Sequence, residues 1–423
     1  MLQVYRYLTY FIFPLLVILI YFRSFFNKED KFRFKEKIFS SNFKANRENS
    51  KKLIWFHAAS IGECLSILPL VNELGKNNKS LQFLITTVTL SSSKLLEKKL
   101  SNNTNISHRF FPLDLERLSE KFLKAWKPDL VCFVDSEIWP NFLFKIKEKK
   151  IPLLLLNARI TKKSLNRWTI VLSFAKKVFN NFDLCLPASN ESKNNLKYLE
   201  VKNFKHIGNL KYSVESTYDK LADSNKKVLD NYNTWCAAST HNGEEHFILK
   251  THLEIKKKYS NILTIIIPRH VDRAVYIKNL SDKFNLKTQI LNENDLINSS
   301  AEILIINSFG VMPKYFNYCK NIFIGKSLIK EKQNVSGQNP IEAAKSGCKI
   351  FHGPYVYNFQ EVYELLRKYD LAEEITKEQM LAEKIIESFK NPKKINYQQV
   401  DQLNRYGKKI LEETTILIER HLK

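Results

Sequence analysis

Glycine is scarce in this 423-residue chain. There are ten, roughly a third of the usual frequency. Neither G-x-x-x-x-G-K-[ST] nor G-x-G-x-x-G occurs, which excludes a P-loop and a dinucleotide-binding turn. Cysteine is also sparse. Cys64, Cys132, Cys185, Cys236, Cys319 and Cys348 include no C-x-x-C pair, so they read as buried thiols in a reducing compartment rather than as a zinc or disulfide framework. The closest histidines, His241, His246 and His252, lack the spacing of H-E-x-x-H. No metal and no cofactor is expected. Acidic residues are outnumbered: 43 against 67 basic ones give a net charge of +24. Such a field favours anionic partners, namely nucleic acid, acidic lipid headgroups or phosphorylated substrates. Lys, Asn and Ile are abundant throughout, however, as AT-rich coding would produce, so charge alone selects none of these. With no interleaved basic–aromatic motif or recognisable module, nucleic acid is not an expected partner.

One stretch lacks charge altogether. From Tyr7 to Phe22 the chain reads YLTYFIFPLLVILIYF, bracketed by Arg6 and Arg23. It is slightly short of the roughly 20 residues of an ideal membrane span. No small-residue cleavage site follows, which argues against a removed signal peptide. Arg23, Lys28, Lys31, Arg33, Lys35 and Lys37 come after it, an excess of positive charge that places the body on the cytoplasmic side. Residues 1–23 are therefore read as a single N-terminal membrane anchor, with a spanning helix and an interfacial one both open. Lys28 to Lys37 are candidates for contact with anionic lipid, or simply a solvated charge run.

Beyond the anchor, strand-like apolar runs alternate with helical segments. LIWFHAAS, LQFLITTVT, HRFFPLD, DLVCFVDSE, IPLLLLNARI, FDLCLPAS and FKHIGNL form a first series, and TWCAAST, LTIIIPRH, LKTQIL, EILIINS, NIFIGKS and CKIFHGP a second. That rhythm predicts βα units and parallel sheets. The polar segment around 214–233 separates the series, so the expected domains are 24–215 and 216–423, the latter ending in amphipathic helices. Two similar α/β domains predict ligands at the carboxyl ends of the strands, in a cleft. Eight of the ten glycines lie mainly at strand ends or in loops entering helices; Gly75 and Gly407 read as ordinary helix positions.

Several short motifs carry chemistry. HAASIGE (His57 to Glu63) ends a strand and opens a helix, so Glu63 suits a general base favoured by the helix dipole, or a capping box with Ser60. DSEIWPN (Asp135 to Asn141) follows another strand, where Glu137 and Trp139 suit a sugar, or a capped helix with a packing indole. Arg159 in NARIT suits an acidic group or a structural ion pair. Lys211 in GNLKY suits a phosphate or plain solvent. Pro268, Arg269 and His270 follow the run LTIII and suit a phosphate. IGKS (Ile324 to Ser327) and SGQNPIEAAKSG (Ser336 to Gly347) read as loops, the second entering a helix at Pro340 with Glu342 in its first turn, where free N–H groups and the carboxylate suit phosphate and ribose.

In this order, HAASIGE, TTVT, DSEIWPN, NARIT, GNLKY, AASTHNGEE, PRH, IGKSL, GQNPIE and GPYVYNF resemble the 3-deoxy-D-manno-octulosonate (Kdo) transferases of lipopolysaccharide assembly, from the anchor to about Leu366. The resemblance implies an α/β GT-B fold, two Rossmann-like domains facing across a cleft. It implies inverting, metal-independent transfer of Kdo from CMP-Kdo to the tetra-acyl lipid A precursor (lipid IVA) at the cytoplasmic side of the inner membrane. Glu63 falls on the family's catalytic base. Ser60, Gly62, Glu137, Trp139 and Arg159 fall on the acceptor side. Lys211, Pro268, Arg269, His270, Gly325, Ser327, Gly337, Asn339 and Glu342 fall on the donor side. Val311, Lys326, Ser336 and Gln338 depart from the family pattern there. Another membrane-associated GT-B enzyme with a different nucleotide sugar is the competing reading.

Overall fold

The computed structural model describes residues 1–100, 103–214, 221–308, 310–330, 336–391 and 397–422. The chain forms two compact units, Met1–Val214 with Tyr406–Lys423, and Glu215–Arg405. The boundary expected at 215/216 falls on residues outside those described. The end of the chain differs from expectation. The helix Tyr397–His421 leaves the second unit, and from Tyr406 onward it belongs to the first.

In the first unit, β1 (Lys52–His57), β2 (Leu81–Thr87), β3 (Ile106–Phe110), β4 (Leu130–Val134), β5 (Leu153–Ala158) and β6 (Leu184–Pro187) form one parallel sheet in the order β3-β2-β1-β4-β5-β6. Helices cover both faces, so the strands are apolar on both sides: LVCFV of β4 and LLLLNA of β5 are buried throughout. Trp55, Phe122, Phe133 and Phe142 meet edge-on or tilted at the centre of this core. FKHIGNL, expected as a strand, contributes only a bridge between Phe204 and Cys185. Gly208, at φ +115°, then turns the chain away.

The second unit holds β7 (Asn233–Thr240), β8 (Ile262–Pro268), β9 (Thr288–Leu291), β10 (Ile303–Ile306), β11 (Asn321–Ile324), β12 (Lys349–His352) and β13 (Ala372–Glu374), in the order β13-β12-β11-β7-β8-β10-β9. The pairs are parallel. β13 leaves no apolar run to read, because Ala372-Glu373-Glu374 is a short, polar edge strand. Each sheet reverses its direction of winding beside its first strand, between β1 and β4 in one unit and between β7 and β11 in the other. Those are the topological switch points at which open α/β sheets bind ligands.

The apolar segment near the amino terminus is one helix, Leu2–Phe25, long and apolar enough to cross a membrane. One stripe of it packs on the first unit. Tyr5 Oη donates to Asp114 Oδ2 at 2.8 Å, Arg6 pairs with Glu116 at 3.0 Å, and Phe13 and Val17 pack beside Ile20, Phe34 and Ile38. The opposite face, including Val4, Leu8, Phe11, Leu15, Leu19 and Phe22, is exposed.

Candidate active site

β1 ends at His57, and Ala58-Ala59-Ser60 leads into the helix Ile61–Asn77. Ser60 caps that helix by accepting from the Glu63 N–H. Glu63 folds back on the same turn. Its Oε1 accepts from Ser60 Oγ at 2.8 Å and its Oε2 from the Ala59 N–H at 2.7 Å. The cap aims the carboxylate back over the end of β1. Gly62 is exposed and has open space where a Cβ would be, so the backbone here is approachable.

β4, next to β1, ends one residue before Asp135, and Glu137 lies two further on. Burial, followed by the charges of Asp135 and Glu137, pushes the Glu63 carboxyl up to about 7 against the two hydrogen bonds that favour its anion. Glu137 moves the other way. Burial opposes its ionisation, but hydrogen bonds from His57 Nε2 (3.1 Å) and Trp139 Nε1 (2.8 Å) to Oε2 hold it below the usual carboxylate range. His57 is fully buried, stacked on Phe111 at 3.8 Å with Nδ1 3.0 Å from Thr86 Oγ1. Glu137 is therefore a fixed, ionised carboxylate, and Glu63 is a carboxyl poised to gain or lose a proton near neutrality. This pairing of unlike proton affinities marks acid–base sites.

The remaining first-unit residues gather at the ends of β4 and β5. The Arg159 N–H donates to the Asp135 carbonyl at 3.0 Å, and Ser136 Oγ donates to the Arg159 carbonyl at 2.9 Å. Lys211, expected on the donor side, lies in the first unit, where its Nζ is 3.0 Å from Asp135 Oδ2.

In the second unit, three loops meet at the ends of β7, β11 and β12. Gly353 follows β12, and a Cβ there would lie 2.2 Å from the Ser327 carbonyl, so only glycine lets these loops touch. Ser327 is buried, and its hydroxyl is engaged within the protein. It donates to the Ile324 carbonyl at 2.7 Å and accepts from the Gly353 N–H at 2.8 Å. The Gly337 N–H donates to the Lys326 carbonyl at 2.7 Å, and Asn339 Oδ1 accepts from the Ile341 N–H at 3.2 Å. Gly325 leads the first loop, under the carboxylate of Glu244. Burial pushes the Glu342 carboxyl up to about 6. Pro268 ends β8, and beyond it Arg269 and His270 are exposed. The His270 ring stands edge-on, 6.0 Å from His241. Burial lowers the proton affinity of His241, and the nearby charges of Lys326 and His270 lower it further. Lys326 and Arg269 give this end of the sheet a positive character suited to a phosphate, and the two imidazoles add ring N–H donors.

The residue that organises these loops was not singled out in the sequence. Glu244, buried at the start of the helix Glu244–Lys256, accepts from four backbone N–H groups. His241 (2.9 Å) and Lys326 (2.7 Å) donate to Oε2, and Ser327 (2.9 Å) and Leu328 (3.1 Å) donate to Oε1. The available signal was the pair Glu244-Glu245 following a strand and a glycine. Gly407, read as an ordinary helix position, is another omission. A Cβ there would meet the Tyr212 carbonyl at 2.0 Å, so the last helix rests directly on the GNLKY turn.

Comparison with known proteins gives this arrangement a lineage. Residues 32–214 match the profile of 3-deoxy-D-manno-octulosonic-acid transferases (kdotransferases). The 3-deoxy-D-manno-octulosonic acid transferase of Rickettsia bellii is 32% identical over 361 residues, 84% of this chain and 82% of the relative. That of Haemophilus influenzae is 27% identical over 87% of this chain and 85% of the relative, and that of Aquifex aeolicus is 27% identical over 84% and 91%. Among solved structures, a glycosyltransferase from Rickettsia africae superposes with a TM-score of 0.59 at 13% identity, covering 89% of this chain and 100% of that one. A UDP-GlcNAc 2-epimerase from Neisseria meningitidis gives 0.58 at 15% identity, covering 86% and 99%. At such identities these two likenesses speak for architecture alone, and that architecture is the GT-B fold with its two Rossmann-like domains. The relatives that match along most of both chains decide the lineage, and this chain belongs to the 3-deoxy-D-manno-octulosonic acid transferase family.

Proposed function

We propose that this protein transfers Kdo from CMP-Kdo to the tetra-acyl lipid A precursor, lipid IVA, in lipopolysaccharide synthesis, with inversion at the anomeric carbon. The observation that carries the reading is Glu63, a carboxyl poised near neutrality at the β1–β4 switch point beside a carboxylate held ionised. In this reading Glu63 takes the proton of a glucosamine primary hydroxyl as that oxygen bonds to the anomeric carbon of Kdo. The bond from that carbon to the phosphate oxygen breaks, and its electron pair leaves with CMP. General-base help of this kind is worth about 10²–10⁴-fold. CMP is a good leaving group, so no second carboxyl is needed to protonate it, unlike in inverting glycosidases.

Ser60, Gly62, Glu137, Trp139 and Arg159 form the acceptor side. Glu137 and Trp139 offer a fixed carboxylate and an aromatic face to a sugar, and Gly62 leaves room for close approach. On the donor side, Arg269 offers positive charge and His270 a ring N–H to the phosphate, without a metal being required. Glu342 offers a carboxylate to ribose hydroxyls. Gly325, Ser327, Gly337, Asn339 and Pro268 act by shaping the loops. The acceptor is a phosphorylated lipid, and the apolar face of Leu2–Phe25 with Lys28, Lys31 and Lys35 suits the anionic cytoplasmic surface of the inner membrane.

The test is transfer itself. Detergent-solubilised protein is given lipid IVA and freshly generated CMP-Kdo, and the lipid is weighed by mass spectrometry. Wild type is expected to add Kdo, and Glu63→Gln to lose at least about 10²-fold in rate while still binding CMP. Protection by UDP but not by CMP would replace the donor assignment with another nucleotide sugar.

A further inference from the structure

The helix Pro140–Glu148 begins directly after Glu137 and Trp139, and it has no cap of its own. Its N-cap residue is Trp139, whose side chain makes no capping hydrogen bond. Two N–H groups of its first turn are taken instead by a distant carboxylate. Asp114 Oδ2 accepts from the Asn141 N–H at 3.1 Å, and Oδ1 accepts from the Phe142 N–H at 3.0 Å. Buried N–H groups without an acceptor are costly, so this borrowed cap fixes where the helix starts. Asp114 is itself buried, and its remaining side-chain bond leads to the anchor helix, where Tyr5 Oη donates to Oδ2 at 2.8 Å. Asn141, the last residue of DSEIWPN, is fully buried and makes a second tie. Its Nδ2 donates to the Asp114 carbonyl at 2.7 Å and, at 3.4 Å, to Thr9 Oγ1 of the anchor helix. Glu116 makes a third, shared between Arg6 at 3.0 Å and Lys145 at 3.3 Å.

These ties converge on the acceptor side. The Trp139 carbonyl accepts from the Leu143 N–H at 3.0 Å, and the Trp139 indole donates to Glu137. The loop that carries Asp114 starts at Phe111, whose ring lies 5.6 Å from that of Trp139 and stacks on His57. We propose that Tyr5, Asp114 and Asn141 are positioning residues: docking of Leu2–Phe25 sets the start of the helix Pro140–Glu148 and thereby the placement of Glu137 and Trp139. The helix is then more than a tether. It is part of the frame of the acceptor site, so a sugar headgroup presented at a lipid surface meets a carboxylate and an indole already in place. The inference rests on Glu137 and Trp139 serving the acceptor.

Two readouts test it, one of them free of substrate. Among the five tryptophans, the indole N–H resonance that vanishes in Trp139→Phe reports the bond to Glu137. Tyr5→Phe and Asp114→Asn should each shift that resonance well below the melting temperature, and leave the Trp235 resonance of the second unit in place. In the detergent transfer assay, Tyr5→Phe should lower kcat/KM for the lipid acceptor about tenfold, as a small misplacement of a binding group does, with the KM for CMP-Kdo unchanged. Phe11→Glu with Leu15→Glu alters the opposite face of the same helix and should leave the Trp139 resonance where it is. A Trp139 resonance that ignores Tyr5→Phe and Asp114→Asn overturns the proposal even if transfer slows, because the slowing then reflects weaker attachment to the lipid alone. A resonance that moves as far in the Phe11→Glu, Leu15→Glu variant overturns it too, since the effect then does not pass through the docked stripe. Should Asp114→Asn fail to fold, Tyr5→Phe, which removes a single hydroxyl, carries both readouts. A wild type that transfers no Kdo, but whose Trp139 resonance responds to Tyr5→Phe, removes the functional reading and leaves the coupling of helix to loop standing.

Discussion

Glu63 is stabilised as an anion by its helix cap and destabilised as an anion by burial and two neighbouring carboxylates, and the second influence wins. That outcome has a thermodynamic consequence separate from catalysis. The folded state binds a proton at Glu63 more tightly than the unfolded chain, raising the value from 4.5 to about 7. The group's favourable contribution is therefore complete below about pH 4.5 and is lost as the pH rises through about 7. At alkaline pH the ionised carboxylate is a liability of about 1–2 kcal/mol once solvent screening is allowed for. Glu63→Gln keeps an acceptor for the Ala59 N–H without the charge. It should match the wild type in melting temperature at pH 4.5 and exceed it by a few degrees at pH 8.5. Equal melting temperatures at both values would show that Glu63 titrates like an ordinary surface carboxylate. In its proposed role of base, Glu63 would weaken the fold at its working pH, a familiar exchange of stability for function.

Among the elements, the buried carboxylate of Glu244 has the most to lose. Four N–H groups from two loops, His241 on one and Lys326, Ser327 and Leu328 on the other, have it as their common acceptor. Glu244→Ala should strand them and cost the second unit about 2–4 kcal/mol, with a parallel loss of CMP affinity as the loops separate. Urea unfolding and CMP titration read the two effects, and an unchanged midpoint would mean that the loops hold themselves. This contact also shows where sequence reasoning reaches its limit. The alternation of β-rich and helical runs was legible because parallel strands buried on both faces must be apolar throughout, as β4 and β5 are. Ser60 and Glu63 were legible as well, since their hydrogen bonds span three residues. The bond from Ser327 to Glu244 spans 83 residues and the one from His57 to Glu137 spans 80, and neither leaves a local pattern. The same holds for Gly407, whose need for a missing Cβ comes from Tyr212, far away in sequence. Lys326 is a different case. It stands at φ +58°, a conformation that non-glycine residues rarely adopt, and no residue on either side announces that requirement.

For the molecule as a whole, the open question is whether Leu2–Phe25 crosses the bilayer or lies along it. Composition allows both, since the helix has 24 residues and only Pro14 interrupts its propensity. Its packing favours the second. Leu2, Tyr5, Thr9, Phe13, Val17 and Ile20 recur at helical spacing and turn one stripe towards the first unit along nearly the whole length of the helix. Tyr5 reaches Asp114, which is buried, raised to about 6, and itself accepts from the Asn141 and Phe142 N–H groups at the start of the helix that follows Trp139. A spanning helix would have to abandon those contacts and strand Asp114 without its phenol donor. Docked in this way, the helix would lie along a membrane surface and present Leu8, Phe11, Leu15, Leu19 and Phe22 to it, which is the arrangement the following variants test. Phe11→Glu with Leu15→Glu should abolish binding to anionic vesicles while leaving the melting temperature within about 2 °C, because neither side chain touches the first unit. Tyr5→Phe should do the reverse, lowering the melting temperature by a few degrees with vesicle binding intact. A tag at Met1 should stay open to protease on the same side of sealed vesicles as the body of the protein. Protection of that tag would show that the helix leaves its docking stripe and spans.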